Sequence, residues 1–248
     1  MSKFNYDEDE VKGIKILPTM EEIIERNRHH EYTHHDLVKG LSDLAIQKYN
    51  KEDFSSLFDE VAIALLRQTL VTTAENNYYL REIEFYFYDK GTHEDSYAHE
   101  NIRQQDFGEW YFHRFKKFEP FMKSNRNGLD ITFGNKQKEI YGGVLMRKIE
   151  NTKTGELFIG INKVVRELIK NIPEQLVNQL ALGNGQFAFD EKQLLHLEVG
   201  RSLFSSPIFK APRHGLRFKN EEKADKFHKA AYCYFNLDAN IILVKPGT

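Results

Sequence analysis

The 248-residue chain is poor in cysteine, tryptophan and proline, with one, one and six of them. A single thiol, Cys233, excludes an internal disulfide and fits a reducing compartment. No apolar run approaches the roughly 20 residues that a membrane-spanning helix needs. The opening stretch, residues 1–10, is acidic and polar, which is not the pattern of a secretory signal. The expectation is a soluble, cytoplasmic monomer with no membrane partner. The net charge of −2 lacks the basic excess of most nucleic-acid binders, although binding depends on a local patch rather than on the total. No glycine-rich phosphate loop, repeat or low-complexity tract is present. His29, His30, His34 and His35 cluster near the N-terminus, but without a neighbouring cysteine or a third ligand at metal spacing. Neither a metal nor a cofactor is expected.

What the chain does have is a core. Hydrophobic residues make up 40% and aromatics 13% of it, enough to bury a sizeable interior. Residues 1–53 are charged and contain helical stretches. Thr19 and Glu22 have capping-box spacing, and Thr33-His34-His35-Asp36 opens a second helix with Leu37, Leu41 and Leu44 on one face. They are read as a helical N-terminal extension to a domain spanning 54–248. A third helix is expected over residues 57–70, where Val61, Ala64, Leu65 and Gln68 follow helical spacing. Strands are expected at 78–88, 110–115, 141–149, 157–161, 194–199 and 230–235. A helical pair falls before the fifth of these: 164–169, then a helix opening near Pro173 and closing at Gly183. The sum is an α+β fold with a mixed, mostly antiparallel curved sheet surrounded by helices.

The most informative segment is Arg81-Glu82-Ile83-Glu84-Phe85-Tyr86-Phe87-Tyr88. With period-two alternation, Ile83, Phe85 and Phe87 share one face, and Glu82, Glu84, Tyr86 and Tyr88 share the other. A solvated strand face satisfies this pattern as well. A second strand presents Tyr111, His113 and Phe115 on one face, and between the two lies the polar loop 92–99. Rings beside a carboxylate are what a pocket for an extruded base requires: flat groups to stack on, polar groups for its edge, and a carboxylate near the sugar carbon.

Several motifs in this order resemble the 3-methyladenine (alkyladenine, or methylpurine) DNA glycosylase family. The helix 58–66 is similar to its F-x-x-x-x-x-x-L-A-x-x-L-L helix. Glu82-Ile83-Glu84-Phe85-Tyr86 resembles its E-T-E-A-Y strand, and Asp95-Ser96-Tyr97-Ala98-His99 its D-x-A-x-H. Gly108-Glu109-Trp110-Tyr111-Phe112-His113 resembles P-G-x-x-Y-V-Y, Gly143-Val144-Leu145-Met146-Arg147-Lys148-Ile149 resembles V-L-L-R-A-L, and Ala211-Pro212-Arg213-His214-Gly215-Leu216 resembles G-P-R-I-G-I. The resemblance implies a monofunctional glycosylase that acts on double-stranded DNA containing a modified base and leaves an abasic site. It puts the water-activating carboxylate at Glu84, the strand arginine beside it at Arg147, the stacking aromatic at Tyr86, and base contacts at His99 and His113, the last being a tyrosine in the family.

The family's intercalating tyrosine falls near Lys116, so Phe115 or Phe118 is expected to supply an apolar wedge. Its pocket-floor asparagine falls near Gly134, where a glycine implies a roomier pocket. Basic residues interleaved with aromatics, including Arg114, Phe115, Lys116 and Lys117, suit phosphate contact, with Arg213 in a second cluster. Two other functions fit the same residues. One is a sugar hydrolase using Glu82 and Glu84; the other is a nucleic-acid-binding module that has lost excision.

Overall fold

The computed structural model describes residues 15–16, 33–46, 54–113, 127–182, 187–199, 208–217 and 226–236. The expected helix at Thr19, Gly183, and the basic-aromatic run Arg114, Phe115, Lys116 and Lys117 lie outside the described residues. The fold is α+β, with helices against a large curled antiparallel sheet. No helix among the described residues is long and apolar enough to cross a membrane.

The first described helix, α1 (His34–Ile46), starts where Thr33 and Asp36 exchange hydrogen bonds: the Asp36 carboxylate accepts from the Thr33 backbone N–H at 2.8 Å, and the Thr33 hydroxyl from the Asp36 N–H at 3.2 Å. Leu37, Leu41 and Leu44, at i, i+4 and i+7, are all buried, as their spacing requires. Helix α2 (Phe54–Gln68) is apolar on nearly every side because it lies between α1 and the sheet. It ends two residues before the expected Leu70. Thr69 is β-branched, and its hydroxyl turns back to the Ala64 carbonyl at 3.1 Å, so the chain leaves the helix there and enters β2 (Thr69–Thr73).

Strand β3 (Asn77–Asp89) is the spine of the sheet. It pairs with β2, with β4 (His93–Glu94), with β7 (Tyr141–Asn151) and with β11 (Cys233–Asn236). Beyond β7 come β6 (Leu129–Phe133) and β5 (Phe107–Phe112) on one path, and β8 (Leu157–Ile159) on another. Beyond β11 come β10 (Ile208–Ala211) and β1 (Lys15–Ile16), while β9 (Leu195–Val199) pairs with β2. After β8, Gly160 takes a φ of 99° and α3 (Ile161–Ile169) begins, one turn earlier than its apolar residues suggested. Pro173 donates no N–H but its carbonyl accepts from Leu176 and Val177, which opens α4 (Glu174–Leu182). β1, β2, β4, β6 and β10 were not among the expected strands.

The core lies between α2 and the concave run of the sheet. Ile83, Phe85 and Phe87 all point into it, as the alternation requires. Phe58 stacks on Phe85 at 4.6 Å between centroids, and Phe87 stacks on Phe133 at 5.7 Å. Register slips in the β3–β7 ladder between Leu80 and Ile83 exchange the faces of both strands, so that Tyr78 and Leu80 also stay inside.

Candidate functional site

The outer face of β3 carries polar side chains, and cross-strand pairing sets their neighbours. Cys233 of β11, Glu84 of β3, Leu145 of β7, Asp130 of β6 and Tyr111 of β5 are successive register partners, so they form one row on one face. Two carboxylates in this row, Glu84 and Asp130, are each 0% exposed. Two strand spacings separate them, about 10 Å at their Cα atoms.

Three donors converge on Glu84. Its Oε2 accepts from the Tyr86 hydroxyl at 2.9 Å and from Arg147 Nη1 at 3.2 Å, and its Oε1 from the backbone N–H of His214 at 2.8 Å. Arg147 Nε also donates to Glu82 Oε1 at 2.9 Å, so one guanidinium spans both carboxylates. Burial opposes the Arg147 charge, but Glu84 and Glu82 outweigh it and raise its pKa. Burial, and then the negative charge of Glu84, push the Tyr86 phenol well above its usual value, so it stays a donor.

The expected site residues come together in part. Glu84, Tyr86 and Arg147 are in direct contact. His99 and His113 meet edge to face at 4.6 Å, and Tyr111 lies 4.8 Å from His113. The ring group is anchored by Asp130, which sequence reasoning missed and which Leu145 separates from Glu84 in the sheet row. His113 Nε2 lies 2.7 Å from Asp130 Oδ1, and Gln104 Nε2 donates to Asp130 Oδ2 at 3.2 Å. Gln104 sits in a 3-10 helix, Ile102–Gln105, capped by Asn101. The signal for Asp130 was available: Leu129, Ile131 and Phe133 alternate with Asp130 and Thr132, and a lone acid in such a run faces away from the core.

Two expectations are corrected. Gly134 does not widen the pocket: a Cβ there would collide with the Gln104 carbonyl and the Gln105 backbone, so the glycine permits close packing of the 3-10 helix. Asp130 leans instead over Gly143, where a Cβ would lie 2.5 Å from Asp130 Oδ2. Nor is Arg213 a surface contact for DNA. It forms an ion pair with Asp95 in which both side chains are 0% exposed, at 2.6 Å. It also donates to the carbonyls of Phe85 and Phe227, and its guanidinium lies 4.5 Å from the Tyr86 ring centroid. It holds Tyr86 from behind.

Glu82, His214 and Cys233 offer ligand atoms within 4.8 Å of one another. The Arg147 guanidinium already binds Glu82 there and supplies the positive charge a metal would bring. Burial first, then Glu82 and Glu84, raise the Cys233 thiol well above its usual value, which suits a packed thiol rather than a nucleophile.

Fold and site together define an α+β protein with a buried, arginine-bridged carboxylate on the polar face of a curled sheet. No protein-family model matches the sequence. The chain is 30% identical over 190 residues to "Uncharacterized protein L759" of Acanthamoeba polyphaga mimivirus, an alignment that covers 71% of this chain and 87% of the viral protein. The chain belongs to the same family as that viral protein.

Proposed function

We propose that the chain is a monofunctional DNA glycosylase, which hydrolyses the N-glycosidic bond of a damaged, extruded purine and leaves an abasic site for base-excision repair. The observation that carries this reading is the Glu84 carboxylate, held by three donors beside Tyr86 and in one sheet row with Tyr111, whose ring packs against His113. Cleavage passes through a sugar with oxocarbenium character. A fixed negative charge below it stabilises that cation and orients the attacking water. Tyr86, braced by Arg213, offers a stacking face to the base, and the rings of His99 and His113 border it. Because Glu84 is fully covered, docking of the sugar displaces part of its cover, of which His214 is the outermost side chain at 44% exposed. The sugar-hydrolase alternative fits less well, since Glu82 and Glu84 share one arginine instead of facing a substrate from two sides.

The test is incubation with a panel of duplexes, each bearing one modified base, followed by alkaline cleavage at abasic sites. The wild type is expected to cut at least one. Glu84→Gln is expected to lose about 10²–10⁴-fold in rate while still binding that duplex. Undiminished cleavage by the variant refutes the assignment. Tight lesion binding by the wild type without product would mark the chain as a binding module.

A further inference from the structure

A sugar that docks over Glu84 brings its own phosphates to the rim of the site. The groups in ion-pair contact there are poorly suited to receive them, because Glu82 and Glu84 share the single guanidinium of Arg147. Lys148, the register partner of Glu82, is the next cation along β7. The two cations that precede the rim on β10 and just after it are engaged elsewhere, Lys210 with Asp59 at 2.9 Å and Arg213 with Asp95 at 2.6 Å. The next residue is His214. Its backbone N–H donates to Glu84 Oε1 at 2.8 Å, which fixes its Cα beside the carboxylate, and its side chain is 44% exposed. The ring itself is tied only loosely. Nε2 lies 3.8 Å from Glu82 Oε1, beyond hydrogen-bond distance, and that oxygen already accepts from Arg147 Nε at 2.9 Å. On the following Gly215, whose φ is +68°, a Cβ would meet nothing within 4 Å, so the space next to the ring is open. The G-P-R-I-G-I segment that residues 211–216 resemble has isoleucine at this position, so the imidazole is a feature of this chain and not of that motif.

We infer that His214, in its protonated form, binds a phosphate of the extruded nucleotide and is a substrate-binding residue of the site. This rests on the glycosylase reading and deepens it by naming what holds the strand backbone at the Glu84 end. In the free chain the ring leans toward Glu82 and forms the outer cover of Glu84. When the nucleotide docks, the ring swings outward and donates to a phosphate oxygen, a charge-assisted hydrogen bond. The same swing uncovers the carboxylate for the sugar. Seizing the phosphate and opening Glu84 are therefore one event, and a backbone that presents no extruded nucleotide does not trigger it.

The consequence is a proton linked to binding. Imidazolium brings a positive charge and two N–H donors, whereas the neutral ring brings no charge and one donor. A phosphate favours the charged form, so the complex takes up a proton wherever the free ring is neutral, and affinity falls as pH rises through the neutral range. The groups around the ring are Glu82 and Glu84 on β3, Arg147 and Lys148 on β7, Cys233 on β11, and Arg213 beside it in the chain. Burial raises the Cys233 thiol and the Tyr86 phenol above their usual values, and Glu84 and Glu82 keep Arg147 charged against its burial. None of these three supplies a limb in the neutral range.

The experiment measures binding and not cleavage. Two duplexes are titrated, one with a single tetrahydrofuran abasic analogue, which has no base to release, and the same duplex undamaged. The proteins are the wild type, His214→Gln and His214→Arg, each of which keeps the backbone N–H that holds Glu84. The wild type is expected to prefer the analogue duplex about 10-fold more strongly at about pH 6 than at about pH 8.5. His214→Gln should lose that gain and match the wild type at the higher pH, and His214→Arg should keep the strong preference at both. On the analogue duplex His214→Gln should also lower the slope of log affinity against log salt by about 1, with the undamaged duplex unaffected. A ring that only packs would give a loss equal at both pH values, an unchanged salt slope and no rescue by arginine. That result, or a pH-dependent preference that survives His214→Gln, overturns the phosphate role. The wild type still prefers the analogue duplex in those cases, so the glycosylase reading stands. A wild type without any such preference overturns the phosphate role as well, and removes the glycosylase reading too if no base of the panel is released.

Discussion

The two faces of β3 each hold a fully buried side chain at their centre, covered by opposite means. On one, Ile83, Phe85 and Phe87 are covered by α2 and by neighbouring rings. Each such side chain gains about 1.5–3 kcal/mol from leaving water, and nothing on that face has to be paired. On the other, Glu84 is as fully covered as Phe85, yet its burial costs free energy until donors meet it. Tyr86, Arg147 and the His214 backbone do that for Glu84, and Arg213 does it for Asp95. Apolar residues of similar volume would be as stable or more so on such a face. On the proposed function, these charges are kept there for chemistry.

The largest test of this contrast is Arg213→Met. The substitution keeps volume but leaves Asp95 as a buried charge without its partner, and it removes the cation from behind Tyr86. The expected loss is about 3–5 kcal/mol, read from the midpoint of denaturant unfolding. The double variant Arg213→Met, Asp95→Leu should recover most of that stability without recovering excision. A single variant as stable as the wild type would mean that the polar face does not depend on this pair.

A smaller effect is expected at Gly143, which lies under Asp130. A Cβ at this position meets Asp130 Oδ2 at 2.5 Å and Gln104 Nε2 at 3.0 Å. Gly143→Ala is expected to cost about 1–3 kcal/mol through overpacking, and to displace the Asp130 carboxylate from His113. If Gly143→Ala leaves stability unchanged, Asp130 is not packed tightly over this glycine.

Why one half of the site could be read in the sequence and the other could not follows from the same contrast. The alternation across residues 82–88 separates core from site without any knowledge of neighbours, and Glu84, Tyr86 and Arg147 do come together as expected. Local pattern also placed α1 and most of α2. Asp130 was missed because its five-residue strand is bracketed by Gly128 and Gly134, which read as loop punctuation, and because its partners His113 and Gln104 lie 17 and 26 residues away in the chain. Arg213 was misread for the converse reason. Sequence records its charge but not its burial, and only the return of β10 and β11 beside β3 places it against Asp95 and the Phe85 carbonyl. Thr69 shows a third limit, since the apolar run gave no sign that a hydroxyl would end α2 there.

The smallest effect sits where the two faces meet, at His93. Phe54, Phe87 and Phe227 surround its ring, while Nδ1 lies 2.9 Å from the Phe87 carbonyl and Nε2 2.9 Å from the Tyr232 hydroxyl. The carbonyl can only accept, so Nδ1 carries the hydrogen and Nε2 receives the phenol's. Burial lowers the pKa of this imidazole from its ordinary 6.5, against the pull of the Phe87 carbonyl and of Asp95. As pH falls through 6.5 the unfolded chain therefore binds a proton that the folded chain still refuses, and unfolding is favoured. Stability at this residue is intact above 6.5 and is lost as pH falls from there toward the depressed folded value. His93→Gln keeps a polar group between the two oxygens but cannot titrate. Its unfolding midpoint should drop less than that of the wild type between pH 7.5 and pH 5.5, with the two proteins differing by a constant offset above 7. Parallel curves across the whole range would show that His93 takes up its proton as readily in the folded chain as in the unfolded one, and that its apolar surroundings are not dry.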